Sequence, residues 1–170
     1  MAEPAETMVQ VIKAVTVKTG KYLTFTLDDE TYGIGILKVK EIIGMLPVTS
    51  VPRTPDFVKG VINLRGKVIP VTDLRLKFGM AAMAYTDRTC IIVVEIDTID
   101  STVLIGIVVD AVSEVLNIKE EEIEKTPDFG TRLNTEYILG MAKMGGGVKI
   151  LLDIDRILST GEIETLKTAV

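Results

Sequence analysis

The chain has 170 residues with a net charge of −5, no histidine and one cysteine, and its hydrophobic residues (47%) include few aromatics and no tryptophan. The acidic balance argues against a nucleic-acid-binding protein, and the absence of histidine argues against the commonest acid–base and metal-binding chemistry. The lone Cys90 excludes an internal disulfide, and we interpret it as a small buried hydrophobe. The N-terminus lacks the pattern of a secretory signal, and the longest apolar run, Thr102–Val109, is too short to cross a bilayer. We therefore expect a cytoplasmic protein that is not inserted in a membrane.

The first half of the chain alternates short runs rich in Val and Ile with turn-forming residues, a pattern that favours strands. Lys21–Tyr32 predicts a hairpin, and the following KVKEIIGMLPVTSVP is typical of an extended segment. Thr54 before Pro55 predicts a short helical start. GVINLRGKVIPV predicts two strands around a turn, and TDLRLKFG predicts a short helix that Asp73 caps and Gly79 ends.

The second half of the chain repeats the first. After the predicted strand TCIIVVEI, IGIVVDAVSEV matches YGIGILKVKEI, and GMAKMGGGVKILLDI matches GVINLRGKVIPVTDL. TPDF occurs at 54–57 and again at 126–129, and a changing offset between the copies implies an insertion around DFGTRLNTEY. The matched pairs are Gly33 and Gly106, Val39 and Val112, Glu41 and Glu114, Gly60 and Gly140, and Asp73 and Asp153. Two copies are too few for a solenoid, so the repeat predicts two small β-barrels of one design, packed together.

Arg65 is the unusual residue of the first copy, because it interrupts the apolar run Gly60–Pro70. It matches Gly145 in the second copy, so the repeated architecture does not require an arginine at this point. Two compatible interpretations stay open: Arg65 forms a local ion pair, or it orders or lines a binding surface. Glu41 is the partner that we expect for the ion pair.

The groups that could support catalysis have simpler structural interpretations. Asp153 and Asp155 could hold Mg²⁺ beside a phosphate, but Asp153 matches Asp73 and is better explained as a helix cap. The glycine triplet Gly145–Gly147 lacks the following lysine of a phosphate-binding loop and predicts a hairpin turn.

The acidic run NIKEEEIEK predicts a solvated helical turn rather than a pair of catalytic carboxylates. Asn117 and Glu120 would form its capping box, and Ser159 and Glu162 would cap a final amphipathic helix that either covers a barrel or frays. Since catalysis is not the better explanation for any of these groups, the sequence favours a binding module. We expect it to be no enzyme and to need neither a metal nor a cofactor.

Several of these segments together resemble the CheW family of bacterial chemotaxis coupling proteins. The resemblance extends from about Lys21 to Leu158 and rests on YGIGILKVKEIIG, PRTPDFVKGVINLRGKVIPVTDLRLKFG, IGIVVDAVSEVL and TEYILG, in the family's order. It implies an all-β fold of two SH3-like five-stranded β-barrel subdomains packed together, with a few short helices. We divide the chain into an N-terminal extension (1–18), a first subdomain (19–83), a second subdomain (84–158) and a C-terminal helix or tail (159–170), and we allow for strands that cross between the subdomains.

The resemblance also implies a function. Proteins of this family tie the cytoplasmic tip of methyl-accepting chemoreceptors to the regulatory domain of the histidine kinase CheA, in membrane-associated arrays. Carried over to this sequence, the motif positions tied to partner binding are Val39, Glu41, Asn63, Arg65, Gly66 and Val115. We expect a protein that is monomeric alone and joins arrays through protein contacts.

Three alternatives stay open. The first is a free-standing domain related to the regulatory domain of the kinase, which shares the fold. The second is a Mg²⁺-dependent phosphate enzyme that uses Asp153 and Asp155, and the third is a nucleic-acid-binding module of the SH3 or OB type.

Overall fold

The computed structural model describes residues 20–125 and 136–169, which form two β-sheets and a few short helices. These residues form two α-helices, α1 (Leu74–Lys77) and α2 (Thr160–Ala169), and three 3-10 helices, at Ile36–Lys38, Glu120–Glu122 and Ile154–Arg156. The strands of the same residues are β1 (Lys21–Leu27), β2 (Glu30–Gly35), β3 (Val39–Gly44), β4 (Val58–Leu64), β5 (Lys67–Asp73), β6 (Cys90–Asp97), β7 (Thr102–Val109), β8 (Ala111–Asn117), β9 (Ile123–Glu124), β10 (Ile138–Met144) and β11 (Gly147–Leu152). The predicted all-β fold class is confirmed.

One sheet has five strands in the order β3–β6–β7–β5–β4, and the other has six in the order β8–β1–β2–β11–β10–β9. The sixth strand is β9, which has two residues and pairs with β10 at the edge of its sheet. The family resemblance implies five strands in each β-barrel subdomain. The sequence does not resolve β9 as a strand because a two-residue pairing leaves no alternating pattern to read.

The two sheets exchange strands between the sequence repeats. β1 and β2 from the first repeat pair with strands of the second, whereas β6 and β7 from the second repeat join β3, β4 and β5 of the first. The predicted repeat is confirmed by register, because Val71 lies beside Gly106 in one sheet and Leu151 lies beside Gly33 in the other, both in parallel pairs. The pairing thus crosses the boundary drawn between residues 83 and 84, as the prediction allowed, and the division into subdomains itself stays a prediction.

Within residues 20–125 and 136–169 the core has three apolar clusters, of which the largest lies between the two sheets. It combines Leu23 and Phe25 of the six-stranded sheet with Ile92 and Val94 of the five-stranded sheet. Residues of β6 that alternate with these, such as Ile91 and Val93, fill a second cluster inside the five-stranded sheet. A third, smaller cluster around Tyr22, Ile118, Ala142 and Leu151 fills the six-stranded sheet. A strand buried on both faces has a near-continuous apolar sequence, which explains the run CIIVVEI.

The local predictions after β5 and β11 are confirmed. The side chain of Asp73 accepts a hydrogen bond of 2.9 Å from the backbone N–H of Arg75 and caps α1. Gly79 follows the helix with a φ of +78°, a conformation that glycine adopts without strain. Asp153 caps the turn after β11 in the same way, by accepting from the N–H of Asp155 at 3.1 Å.

Two predicted helix starts differ from the structure. No helix forms at Thr54, because its hydroxyl donates to the carbonyl oxygen of Val51 at 2.9 Å and the chain enters β4 after a turn. Asn117 and Glu120 do not form a capping box, since Asn117 is still in β8. The 3-10 turn that follows is instead held by Glu122, which accepts from the N–H of Lys119 at 3.0 Å.

Some predictions concern residues outside the described ranges. They are the N-terminal extension at 1–18, the second TPDF at 126–129, and most of the insertion around DFGTRLNTEY.

Helix α2 covers the central cluster, the first of the two predicted alternatives, with Ile163 and Leu166 buried against it. Ser159 and Glu162 form the predicted capping box, because Ser159 N–H donates to Glu162 at 2.7 Å and Glu162 N–H donates to the Ser159 hydroxyl at 3.1 Å. Lys77 of α1 donates to both carboxylate oxygens of Glu162, at 2.9 and 2.8 Å. The link between α1 and α2 therefore holds the helix on the core.

We expect Glu162→Gln to reduce stability by about 1.5 kcal/mol at neutral pH, the lower end of the range for hydrogen bonds to charged groups, because the amide oxygen of glutamine can still accept one of these hydrogen bonds. Burial acts to raise the pKa of Glu162, but the hydrogen bonds from Lys77 and Ser159 outweigh it and hold the pKa below its ordinary value. A lowered carboxyl pKa contributes stability that is complete above the ordinary value near pH ~4.3 and is lost as the pH falls through the lowered pKa. Urea denaturation at several pH values should show the variant and the parent converging in acid.

Glu124→Gln is the matched control, because its ion pair with Lys143 joins side chains that are 60% and 64% exposed. It should leave the urea midpoint unchanged at every pH. A Glu162→Gln deficit that stayed constant down to pH ~3, below the ordinary carboxyl range, would show that the charge of Glu162 does not hold the helix.

Candidate interaction surface

The β4–β5 hairpin turn consists of Arg65 and Gly66, both with positive φ, +52° and +85°. The turn is closed by Asn63, whose side-chain oxygen accepts a hydrogen bond of 2.7 Å from the N–H of Gly66. The β10–β11 hairpin has the same geometry, with φ of +61° at Gly145 and +79° at Gly146. The predicted glycine hairpin turn is confirmed.

A left-handed backbone disfavours residues other than Gly, Asn and Asp. Arg65 has this backbone conformation, at a position where the second repeat has glycine. The turn itself therefore gains nothing from an arginine. A residue held at such a cost in a tight turn points to a role for its side chain.

The side chain of Arg65 forms a two-point ion pair with Glu41. Its Nη1 donates to Oε2 of Glu41 at 2.9 Å, and Nη2 pairs with Oε1. The hydrogen bond from Arg65 holds the pKa of Glu41 below its ordinary value. Of the two interpretations of Arg65, the local ion pair is thus present. The Arg65 side chain is nevertheless 70% exposed, which leaves room for the second interpretation.

The ion pair joins the two ends of the five-stranded sheet. Glu41 lies in β3 and Arg65 follows β4, and these strands are the opposite edges of the sheet. A backbone bridge nearby closes the same gap, because Thr49 and Val61 exchange two N–H···O bonds of 2.9 Å. Gly60 beside Val61 makes this approach possible, since a Cβ there would lie 2.6 Å from the carbonyl carbon of Thr49.

A depression of about 710 Å³ opens beside the ion pair on the five-stranded sheet. Its floor is apolar and includes Val93 and Leu104, and its rim carries charges of both signs. The rim residues are Lys40, Glu41, Arg65, Lys67 and Glu95. An apolar floor with a mixed-charge rim suits the docking of another macromolecule better than the enclosure of a small substrate.

The remaining two predicted site residues lie apart from the turn. Val39 pairs with Val94 at the start of β3 and is half-buried against the central cluster. Val115 pairs with Leu23 in the other sheet, and its side chain is exposed on the edge strand β8. The structure therefore brings together four predicted site residues, Glu41, Asn63, Arg65 and Gly66, and places the two valines elsewhere.

The acidic groups considered for metal binding have other partners. Asp153 caps the turn after β11, and Asp155 accepts from Lys38 at 2.9 Å. Among the described residues no group of three or more His, Cys, Asp or Glu side chains is placed to hold a metal ion. Cys90 is half-buried, and burial raises the pKa of its thiol. In the same part of the chain, no helix has the length and apolar character required to span a membrane.

Sequence reasoning missed two cations that join the sheets, Arg75 and Lys38. Arg75 lies on α1 and donates to Asp28 and Asp110, while Lys38 lies between β2 and β3 and donates to Asp97 and Asp155. Their acceptors are remote in sequence, so nothing in the local pattern pairs them. For Arg75, the position two residues after the helix cap Asp73 was the only local feature to read, and it suggested a solvated side chain rather than a buried one.

The fold and this surface define a class of protein: a two-sheet module with an exposed ion-paired turn beside an apolar depression, a surface of the kind that suits a macromolecular partner. The family model of the CheW-like domain matches residues 21–162. The chain belongs to the CheW family.

Relatives and a solved structure agree with this assignment. The chain is 45% identical to the chemotaxis protein CheW of Klebsiella aerogenes over 143 residues, which cover 84% of each chain. It is 36% identical to the chemotaxis protein CheW of Bacillus subtilis, over 84% of this chain and 89% of the relative. The crystal structure of the scaffolding protein TtCheW from Thermoanaerobacter tengcongensis superposes with a TM-score of 0.73 at 36% identity, over 84% of this chain and 94% of that one.

Proposed function

We propose that this protein is a chemotaxis adaptor that couples methyl-accepting chemoreceptors to the histidine kinase CheA in arrays on the cytoplasmic side of the membrane. It acts without catalysis, by holding the receptor tip and the regulatory domain of the kinase in a fixed mutual geometry. The observation that carries the proposal is the Arg65 turn: the most specific motif of the CheW resemblance forms an exposed, ion-paired turn that the fold itself does not require.

The physical features of the chain fit this role. A receptor tip presents apolar side chains at helical spacing, and a surface lined by valine and isoleucine can accept them, as in other cases of a helix bound in a groove. Val115 on β8 is exposed and suited to such a contact, whereas the Arg65 turn and its depression lie on the other sheet. Two separate surfaces on one protein are what coupling requires. Contacts in an array act together, so each one can be modest.

The length of the match favours the adaptor over a domain of the kinase. The chain covers 84% of the Klebsiella relative and 89% of the Bacillus relative, both of which are chemotaxis proteins CheW. The proposal that Asp153 and Asp155 hold Mg²⁺ receives no support from the geometry, because one caps a turn and the other is paired with Lys38.

Sedimentation of the purified chain with a receptor-tip fragment and with the regulatory domain of CheA tests the proposal. We expect binding to each partner separately, and a complex of all three. Failure to bind either partner, at concentrations where a known CheW protein binds both, would refute it.

We expect Val115→Asp to weaken binding of the receptor fragment by about tenfold or more, since desolvating an unpaired carboxylate in an apolar contact costs at least about 1.4 kcal/mol. The fold should be unaffected because the side chain is half exposed. Val148→Asp is the control, as Val148 has a similar exposure in the same sheet. Equal receptor affinity for the Val115 variant and the parent would remove Val115 from the binding surface.

Val39→Asp is a less specific test. Val39 is half-buried against the central cluster, so the new charge would disturb the fold as well as any contact.

A further inference from the structure

Two clusters of charged side chains occupy equivalent places in the two repeats. The first consists of Arg75 with Asp28 and Asp110, and the second of Lys38 with Asp97 and Asp155. Each cluster has one cation between two carboxylates. We call them the crossover triads, because each contains a residue from a point where the chain passes from one sheet to the other.

The crossover points are the short segments after β2 and after β7. Lys38 precedes β3, where the chain leaves the six-stranded sheet, and Asp110 precedes β8, where the chain returns to it. The other members come from equivalent elements. Asp28 and Asp97 lie at the ends of β1 and β6, and Arg75 and Asp155 follow the capping residues Asp73 and Asp153 by two positions.

The first triad is the more buried. Arg75 is 7% exposed, and its guanidinium donates to Asp110 at 2.6 Å, to Asp28 at 2.5 Å and, through Nε, to the carbonyl oxygen of Ala81 at 3.0 Å. The N–H of Asp28 donates to the same carboxylate of Asp110 at 2.8 Å. The planar guanidinium thus fixes three acceptors from three segments at once.

The second triad joins the same three points of the repeat, but its cation lies at the crossover point, and a carboxylate lies two residues after the capping aspartate. Lys38 donates to Asp97 and to Asp155, both at 2.9 Å, and the N–H of Asp97 donates to Asp155 at 2.9 Å. Its side chains are more exposed than Arg75, with Lys38 at 28%.

The apolar cluster between the sheets does not by itself define their mutual angle. Apolar contact is non-directional, and packed elements can shift by small shear movements against one another. Charged hydrogen bonds are directional, and a buried charge that loses its partners is strongly penalised. Two such clusters at two separate crossover points oppose rotation of one sheet against the other.

We propose that the crossover triads are positioning groups, which hold the two sheets at one relative orientation and so make the adaptor stiff enough to transmit a change from receptor to kinase. The inference rests on the proposed function, since stiffness matters only if the two partners bind on different sheets. Arg75 and Lys38 act through the orientation of the sheets and contact no partner.

The test measures orientation in the free protein and coupling in the assembly. Spin labels at Val68→Cys and Val148→Cys, in a Cys90→Ala background, report one distance across the two sheets, because both valines are exposed on equivalent hairpin strands. We expect a narrow distance distribution in the parent and a clearly broader one in Arg75→Met and in Lys38→Met. Without the labels, receptor-dependent kinase activation should fall by about tenfold in each variant, within the range of ordinary coupling between sites. Binding to each isolated partner should stay unchanged.

Three further variants separate positioning from mere stability. Ile62→Val and Ile62→Ala remove methyl groups inside the five-stranded sheet, and the one whose stability matches the triad variants should keep the narrow distribution and full coupling. Lys38→Arg retains a cation and should restore both readouts. If Arg75→Met does not fold, the more exposed Lys38 carries the test.

An unchanged distance distribution in the triad variants, or equal loss of coupling in the stability-matched variant, would overturn the inference. Failure of the proposed function looks different. In that case the parent itself gives no receptor-dependent activation, whatever the spin labels report.

Discussion

Arg65→Gly is expected to uncouple receptor from kinase while leaving the fold at least as stable as the parent. Glycine relieves the left-handed backbone at this position, as the equivalent Gly145 shows. The substitution removes the two-point ion pair with Glu41 and an exposed guanidinium at the rim of the depression. We expect receptor-dependent kinase activation to fall by about tenfold to a hundredfold, the usual cost of an arginine anchor at an interface. The melting temperature should stay the same or rise.

Arg53→Gly is the matched control. Arg53 is also an exposed arginine with positive φ, +62°, but it lies outside the β4–β5 turn. Its replacement should preserve coupling. If Arg65→Gly supports activation as well as the parent does, the ion-paired turn has no part in signalling. If its melting temperature falls steeply, Arg65 serves the fold and not a partner.

Gly60→Ala is expected to produce the largest loss of stability, about 3 kcal/mol or more, because it combines a strained backbone with a collision. The φ of Gly60 is +143°, and a Cβ would overlap the carbonyl oxygen of Thr49. The two hydrogen bonds between Thr49 and Val61 would have to open, and with them the closure of the five-stranded sheet beside Arg65. Equilibrium denaturation in urea measures the loss.

Gly44→Ala is the control for this prediction. Gly44 also lies in the five-stranded sheet, and among the described residues a Cβ there would meet no atom within 4 Å. Its substitution should change the urea midpoint little. Equal stability of the Gly60 variant and the parent would show that Thr49 does not approach the strand as closely as the structure has it.

The predictions that rested on local chemistry are mostly confirmed. The caps by Asp73 and Asp153 and the turns at Arg65 and Gly145 follow from a few neighbouring residues, and the Glu41–Arg65 pair followed from comparing the two repeats. The helical start at Thr54 is wrong: a helix cap would accept from the N–H groups that follow it, whereas the Thr54 hydroxyl donates to the carbonyl oxygen of Val51 and the chain turns into β4.

The exchange of strands between repeats could not be read from the sequence. The alternation of apolar and polar residues along a strand indicates which of its faces is buried, but it does not indicate which strand is its neighbour in the sheet. The apolar pattern of β1 is compatible with either sheet. The triads around Arg75 and Lys38 depend on that exchange, since Asp28 and Asp97 reach them only after the sheets have formed. Ion pairs between residues that are distant in the sequence could therefore be identified only from the structure.

Reconstitution of kinase activity tests the central claim most directly. Receptor-containing membranes and CheA are combined with and without the purified chain, and the rate of kinase autophosphorylation is followed as a receptor ligand is added. We predict activation that needs all three components, responds to the ligand and is lost with Arg65→Gly. Kinase activity that is the same in the presence and absence of the chain would contradict the account.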